Sequence, residues 1–342
     1  MSQRRDVGTP PARTSPSGEV SVRERTDGPA VAGVDRGEPL ARVDDTTAVA
    51  RLPVAKAYKM FVGGAFVRSE SGRTVQSRGA NVEGSADPGV VNVPRGSRKD
   101  ARDAVLAAKN AGDGWAARTA YNRGQILYRL AEVMESRRGE LAVALERGGV
   151  TAADAEREVD LAVDRTVYYA GFCDKYQALV ASSNPVAGPH FGFSVPEPMG
   201  VVAVVAPARP ALVGLVSTVL PVVAGGNTCV VVAGADDPRA AVVWCECLAT
   251  SDMPGGVVNL LTGHASEMAP HLARHREVAA IDVWSGDAAL RASVERDGSG
   301  SVKRVRTHDD DHARALGGET GQGLGFIERF LETKTIWHPV GA

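Results

Sequence analysis

The sequence predicts an α/β protein with a parallel sheet, a helical block before it and extended arms between the two. Three observations point this way. From Val201 to Val283, short continuous apolar runs alternate with helical patterns, as expected of strands covered on both faces and joined by right-handed crossovers. Upstream, over residues 97–176, apolar side chains recur at helical spacing between capping residues. Between these regions, Ser182–Met199 holds four prolines and the aromatic piece Phe191-Gly192-Phe193, which suits extended arms better than a helix.

The composition is that of a globular protein. The 342 residues are 44% apolar and 23% charged, ample to bury a core. A net charge of -2 gives no electrostatic case for nucleic acid or an anionic membrane. No apolar run reaches membrane-spanning length, and no hydrophobic stretch follows Met1-Ser2-Gln3-Arg4-Arg5, so no secretory signal is expected. Cys173, Cys229, Cys245 and Cys247 fit a reducing cytoplasm. Cys245 and Cys247, two apart on a helix, do not face one another and read as buried thiols.

Taken in order, residues 1–57 lack periodicity and are expected to be a disordered tail. Order begins near Tyr58. Two apolar runs around Gly63-Gly64 signal a hairpin over 59–67. Residues 69–96 read as loop. Ser97 caps a helix, with Asp100 in the capping-box position, and Gly112-Asp113-Gly114 is expected to break it. A second helix is expected over 119–146, stopped by Gly148-Gly149. A third, over 152–176, is capped by Thr151 or Asp154. Strands follow at 201–205, 228–232, 257–261 and 279–283. The helices between them cover 210–224, 238–250 and 265–275. This is half of a Rossmann-type, dinucleotide-binding fold, yet it carries no G-x-G-x-x-G. Residues 284–300 hold one short helical piece. A strand at 302–305 leads into an acidic, then Gly-rich stretch. The last residues, Arg329–Trp337, end in apolar/polar alternation and read as a strand.

Several of these segments, in this order, resemble the aldehyde dehydrogenase family. Glu197–Pro207 resembles the segment that leads into the active site of its NAD(P)-dependent members. Gly226–Val232 resembles the next strand, and Pro254–Gly263 the one after. The hairpin at 59–67 and Tyr168-Tyr169-Ala170-Gly171 also match. Arg329–Ile336 looks like the family's last strand, which joins a neighbouring subunit. The resemblance covers about 58–306 and 324–337. More narrowly, the chain is similar to the truncated second module of a two-module aldehyde dehydrogenase subfamily. It implies an aldehyde-dehydrogenase-like sheet over 58–306, a flexible linker over 307–324 in place of the catalytic domain, and an oligomerisation strand within 325–342.

The departures from the family pattern shape the functional expectation. The family's Pro-Trp-Asn, whose Asn supports the oxyanion, is Pro207-Ala208-Arg209 here. Arg209 could donate hydrogen bonds, but a solvated or salt-bridged Arg at a helix start is the simpler reading. The Lys-Pro-Ser-Glu that grips the ribose is replaced by Val232, Ala233, Gly234 and Ala235, removing polar contacts that each contribute about 1–3 kcal/mol when buried. The pyrophosphate turn is Val283-Trp284-Ser285-Gly286, with Trp284 expected to pack into the core. His308 stands where the general base Glu would be. A His can serve as a base near neutral pH, but an exposed loop His beside Asp309-Asp310-Asp311 is the simpler reading, and no metal is expected there. No cysteine follows Cys247, whereas the family's nucleophile lies after the base. Without a thiol to form the covalent adduct, family chemistry stops at its first step.

The resemblance therefore implies a catalytically inactive family member, cytoplasmic, without cofactor or metal. It would act as a structural or regulatory subunit, in a homo-oligomer or with a full-length aldehyde dehydrogenase. Ala206, Pro207, Val232, Ser285 and Gly286 would be vestiges of the cofactor site. The alternatives are an NAD- or NADP-dependent oxidoreductase acting on aldehydes through a rebuilt site, and a nucleotide-sensing module.

Overall fold

The computed structural model describes residues 56–79, 89–234 and 237–341. Residues 1–55, nearly all of the expected tail, and Ala235 lie outside the described residues. The hairpin forms as β1 (Met60–Val62) and β2 (Ala65–Val67). Its turn places Gly63 and Gly64 at φ 63° and 86°, a conformation that favours glycine. The region read as loop contains a two-stranded sheet of β3 (Thr74–Arg78) and β4 (Val90–Pro94).

The helical block is α1 (Arg98–Ala116), α2 (Ala120–Ser136), α3 (Arg138–Arg147), α4 (Ala152–Phe172) and α5 (Tyr176–Val180). Ser97 and Asp100 make the full capping box, and Thr151 caps α4. Two expected boundaries move. α1 runs through Gly112-Asp113-Gly114 because Trp115, 1% exposed, anchors its end by donating from Nε1 to the Val223 carbonyl at 2.9 Å. That anchor outweighs the roughly 1 kcal/mol helix cost of each glycine. The single helix expected over 119–146 divides at Arg137, whose guanidinium binds Glu140 and Glu246, each at 2.5 Å.

The arms are β5 (Ser182–Asn184) and β6 (His190–Pro198). Then come β7 (Val201–Val205), α6 (Ala211–Ala224), β8 (Thr228–Val232), α7 (Arg239–Thr250), β9 (Val258–Leu261), α8 (Ala265–Arg274), β10 (Val278–Trp284), α9 (Ala288–Gly298) and β11 (Arg304–His308). The large sheet has the order β11-β10-β7-β8-β9-β1-β2, with β11 through β9 parallel. Chain direction across the sheet reverses between β7 and β10, so these two strands flank the topological switch point.

Alternate residues of β7 serve opposite layers. Val202 and Val204 join the core of α2, α3, α4, α6 and α7, while Val201, Ala203 and Val205 join that of α1, α8 and α9. α6 is buried on every side from Leu212 to Ala224, as its unbroken apolar composition requires.

After β11 the chain forms α10 (Asp310–Ala315), a 3-10 turn at Glu319–Gly321, α11 (Leu324–Glu328) and β12 (Leu331–Pro339). The span expected as a flexible Gly-rich linker thus holds regular structure. β12 pairs antiparallel with β6, from Leu331 opposite Pro198 to Pro339 opposite His190, and β5 completes a three-stranded arm. Asn227 ties this arm to the core, accepting from the Gly200 N–H and donating to the Phe330 carbonyl, both at 2.9 Å. Among the described residues no helix is long and apolar enough to cross a membrane.

Candidate functional site

Ligands of open parallel sheets bind beyond the strands' carboxyl ends, at the switch point. Here that edge is formed by the residues after β7, β8 and β10 and by the end of β11. Ala206 and Pro207 are buried, and the Ala206 N–H extends the ladder to the Val232 carbonyl at 3.0 Å. Gly234 lies so close that a Cβ on it would sit 2.7 Å from the Pro207 carbonyl oxygen. Val232 is fully buried, so this flank presents no polar side chain.

Arg209 turns away from the edge. It is exposed, and its Nη2 donates to the Gly148 carbonyl. Among the described residues it is bound to backbone and makes no salt bridge, and it stands apart from the other expected site residues.

The helix N-termini at this edge are already occupied. Glu158 of α4 accepts from the Leu212 and Val213 N–H groups at 2.7 and 3.1 Å, capping α6 from outside its own sequence. Asp287 accepts from Ala289 and Leu290 at 2.9 and 3.1 Å at the start of α9. Gly286, expected in the pyrophosphate turn, packs against the Asp310 carboxylate, where a Cβ would meet Oδ2 at 2.1 Å. An incoming phosphate would meet a carboxylate there instead of free N–H donors.

Burial raises the Glu158 pKa; the two N–H bonds and Arg209 oppose the shift without cancelling it. A carboxyl with a raised folded pKa stabilises the fold fully below the unfolded carboxylate range, and that contribution is lost as pH rises through the folded value. Glu158→Gln keeps an acceptor and removes the charge. The melting temperature of the wild type should therefore fall relative to Glu158→Gln as pH goes from about 4 to about 7. Parallel melting curves across that range would show that the charge is not strained.

The chemistry-bearing side chains that do come together are Asp282, Trp284 and His308. Asp282, 2% exposed in the middle of β10, accepts from Trp284 Nε1 at 2.8 Å through Oδ2. Its Oδ1 lies 3.0 Å from His308 Nε2. The His308 and Trp284 rings stack at 3.8 Å with 14° between planes. His308 is the last residue of β11, paired opposite Trp284, and its side chain is 12% exposed. The expected exposed loop histidine is therefore corrected: parallel pairing carries β11 three residues beyond its expected end at 305 and tucks the ring under α10. Trp284 is in the core as expected, packed with Ala313, Leu316 and Phe326. The acid inside the apolar run Val278–Trp284 was the visible signal for this cluster, and the sequence reading passed over it.

The roof of the cluster is held by Arg165 of α4, 1% exposed. Its Nη1 donates to Ser217 Oγ at 2.5 Å and to the Leu316 and Gly321 carbonyls at 2.9 and 2.6 Å; Nη2 donates to the Gly318 carbonyl at 3.0 Å. The sequence analysis identified neither Arg165 nor Glu158.

The four cysteines are buried. Burial raises every thiol pKa, to about 12 at Cys173 and about 11 at Cys247, and Cys229 and Cys245 are raised as well. None has the lowered pKa of an activated thiol. Among the described residues no three His, Cys, Asp or Glu are placed to hold a metal ion. Asp309 instead caps α10 and binds His312 Nδ1 at 2.6 Å.

Residues 74–307 match the family model described as the aldehyde dehydrogenase family. Over 264 residues the chain is 32% identical to cytosolic 10-formyltetrahydrofolate dehydrogenase of Mus musculus, covering 75% of this chain and 29% of that one. It is 31% identical to hydroxyisobutyraldehyde dehydrogenase of Mycolicibacterium austroafricanum, covering 72% and 47%. The NAD-dependent aldehyde dehydrogenase from Sinorhizobium meliloti aligns structurally with a TM-score of 0.68 at 25% identity, over 74% of this chain and 50% of that one. The chain thus spans less than half the length of these two curated relatives.

Proposed function

The chain belongs to the aldehyde dehydrogenase family, and from that premise we propose that it is a catalytically silent member serving as a structural or regulatory subunit. The carrying observation is the closed strand edge. Asp282, Trp284 and His308 bind one another, the turn pinned by Arg165 covers them, and Glu158 and Asp287 take the helix donors that a cofactor's phosphates would need. The buried, high-pKa thiols support the same reading, since the family reaction needs a reachable thiolate. Four unpaired cysteines also suit a reducing, cytoplasmic location.

As a subunit the chain would assemble through the arm. β12 is nine residues long, largely exposed and, among the described residues, bonded on one side only, to β6. Its free edge suits strand addition, with a second copy or with a full-length aldehyde dehydrogenase.

One observation favours a second reading. His308, which the resemblance sets at the family's base position, lies 3.0 Å from a buried carboxylate, the arrangement a general base requires. On that reading the protein is an NAD- or NADP-dependent oxidoreductase acting on aldehydes through a rebuilt site. Isothermal titration with NAD and NADP, paired with an aldehyde oxidation assay, separates the two. The silent reading expects no saturable heat and no turnover. Cofactor binding with turnover that disappears in His308→Ala would establish the second reading, and binding without turnover would identify a nucleotide sensor. Co-purification with a complete aldehyde dehydrogenase would then distinguish a heteromer from a homomer.

A further inference from the structure

Beside the closed edge lies a groove of about 620 Å³, lined in part by Arg304, Arg306, Glu328 and Arg329. Arg304 and Arg306 are two residues apart on β11 and so share one face of the sheet. Arg329 follows α11 and holds its guanidinium 4.0 Å over the Phe326 ring.

The three arginines differ in what satisfies them. Arg304 is engaged through both Nη atoms: Nη1 donates to the Arg329 and Leu331 carbonyls at 2.6 and 3.1 Å, and Nη2 pairs with Glu332 at 3.1 Å. Arg306 has no hydrogen-bond or ion-pair partner among the described residues, and its Nε is buried. Arg329 Nη1 is likewise buried without a partner. Glu328 lines the groove but pairs with neither guanidinium. Asp282 lies nearby with its oxygens committed to Trp284 and His308. Both guanidiniums line the same groove; burial pulls the Arg329 pKa down, the charge of Asp282 opposes this and that of Arg306 adds to it.

Two neighbouring guanidiniums with idle, partly desolvated donors are poorly satisfied in water-poor surroundings. An anion with acceptor oxygens on several sides serves both forks at once, whereas a carboxylate's two oxygens match a single fork. We propose that this groove binds a phosphate or phosphoryl group, held jointly by Arg306 and Arg329. The proposal does not depend on catalytic silence, because the groove shares neither Arg306 nor Arg329 with the expected cofactor positions.

The test uses the full chain at constant ionic strength, titrated with inorganic phosphate, glycerol 3-phosphate and acetate, and read by thermal shift and calorimetry. Phosphate or its ester should stabilise the protein saturably. Arg306→Gln and Arg329→Gln should each weaken that response about tenfold or more. Arg314→Gln, whose exposed side chain pairs with Asp311 instead, should leave it unchanged. A tighter response to the ester identifies a phosphorylated small molecule as the ligand, and an equal or tighter response to phosphate identifies the free ion. Should Arg306→Gln fail to fold, Arg306→Lys keeps the charge, loses the fork and should give a smaller weakening. Absence of saturation, an equal response in the variants, or acetate matching phosphate would overturn the proposal.

Discussion

Arg165→Met is expected to lower the melting temperature by about 10 °C. The variant keeps most of the side chain's apolar bulk, so the loss comes from hydrogen bonding. Three carbonyls, those of Leu316, Gly318 and Gly321, converge on one guanidinium that also meets Ser217 Oγ. Gly321 permits that convergence, since a Cβ there would lie 2.3 Å from the Leu316 oxygen and 2.6 Å from Arg165 Nη1. Each buried carbonyl left without a donor costs about 1–3 kcal/mol, partly recovered wherever water enters. Protection from hydrogen exchange over 310–321 should fall together with the melting temperature. Arg165→Lys, with its charge but without the planar fork, should recover only part of the loss. A variant that melts within about 1 °C of the wild type would show that the turn does not rely on this clamp.

Asp282→Ala is expected to cost about 2–5 kcal/mol, a shift of roughly 4–15 °C. It removes the acceptor of the buried Trp284 N–H and of His308 together, and it takes away a negative charge that acts on Arg329. Asp282→Asn retains an acceptor for one neighbour and should lose about half as much. Tryptophan fluorescence gives a local readout, because loosening around Trp284 admits water and shifts its emission to the red. Wild-type stability with unshifted emission in Asp282→Ala would mean the triad is a contact without energetic weight.

How much of this was legible beforehand follows the range of the interactions. β7, β8, β9 and β10 appeared in the sequence because a strand covered on both faces is predominantly apolar, and Val201–Val205 is apolar throughout. The capping box at Ser97 and the turn at Gly63-Gly64 are local chemistry and were equally plain. β3 and β4 were missed because residues 79–89 separate them and only their pairing reveals them. The continuation of α1 past two glycines depends on Trp115 reaching a carbonyl 108 residues away. Arg165 and Glu158 act over comparable separations, 156 residues to Gly321 and 54 to Leu212. Periodicity on α4 marks which positions face inward; it says nothing of which distant backbone groups they satisfy. His308 was misjudged because its acidic neighbours suggest a solvated loop, while its partners belong to another strand.

The contacts of Arg304 have one more consequence. By holding the Arg329 and Leu331 carbonyls from the first residue of β11, it ties the entrance of one strand to the entrance of another. Polypeptide added between these strands would return to a point this tie already fixes, and the entropic penalty of enlarging such a detour rises by only about 0.6 kcal/mol for each doubling of its length. A whole folding unit could be grafted in or excised there while every strand kept its neighbours, which makes this joint a natural place for modular change in the scaffold.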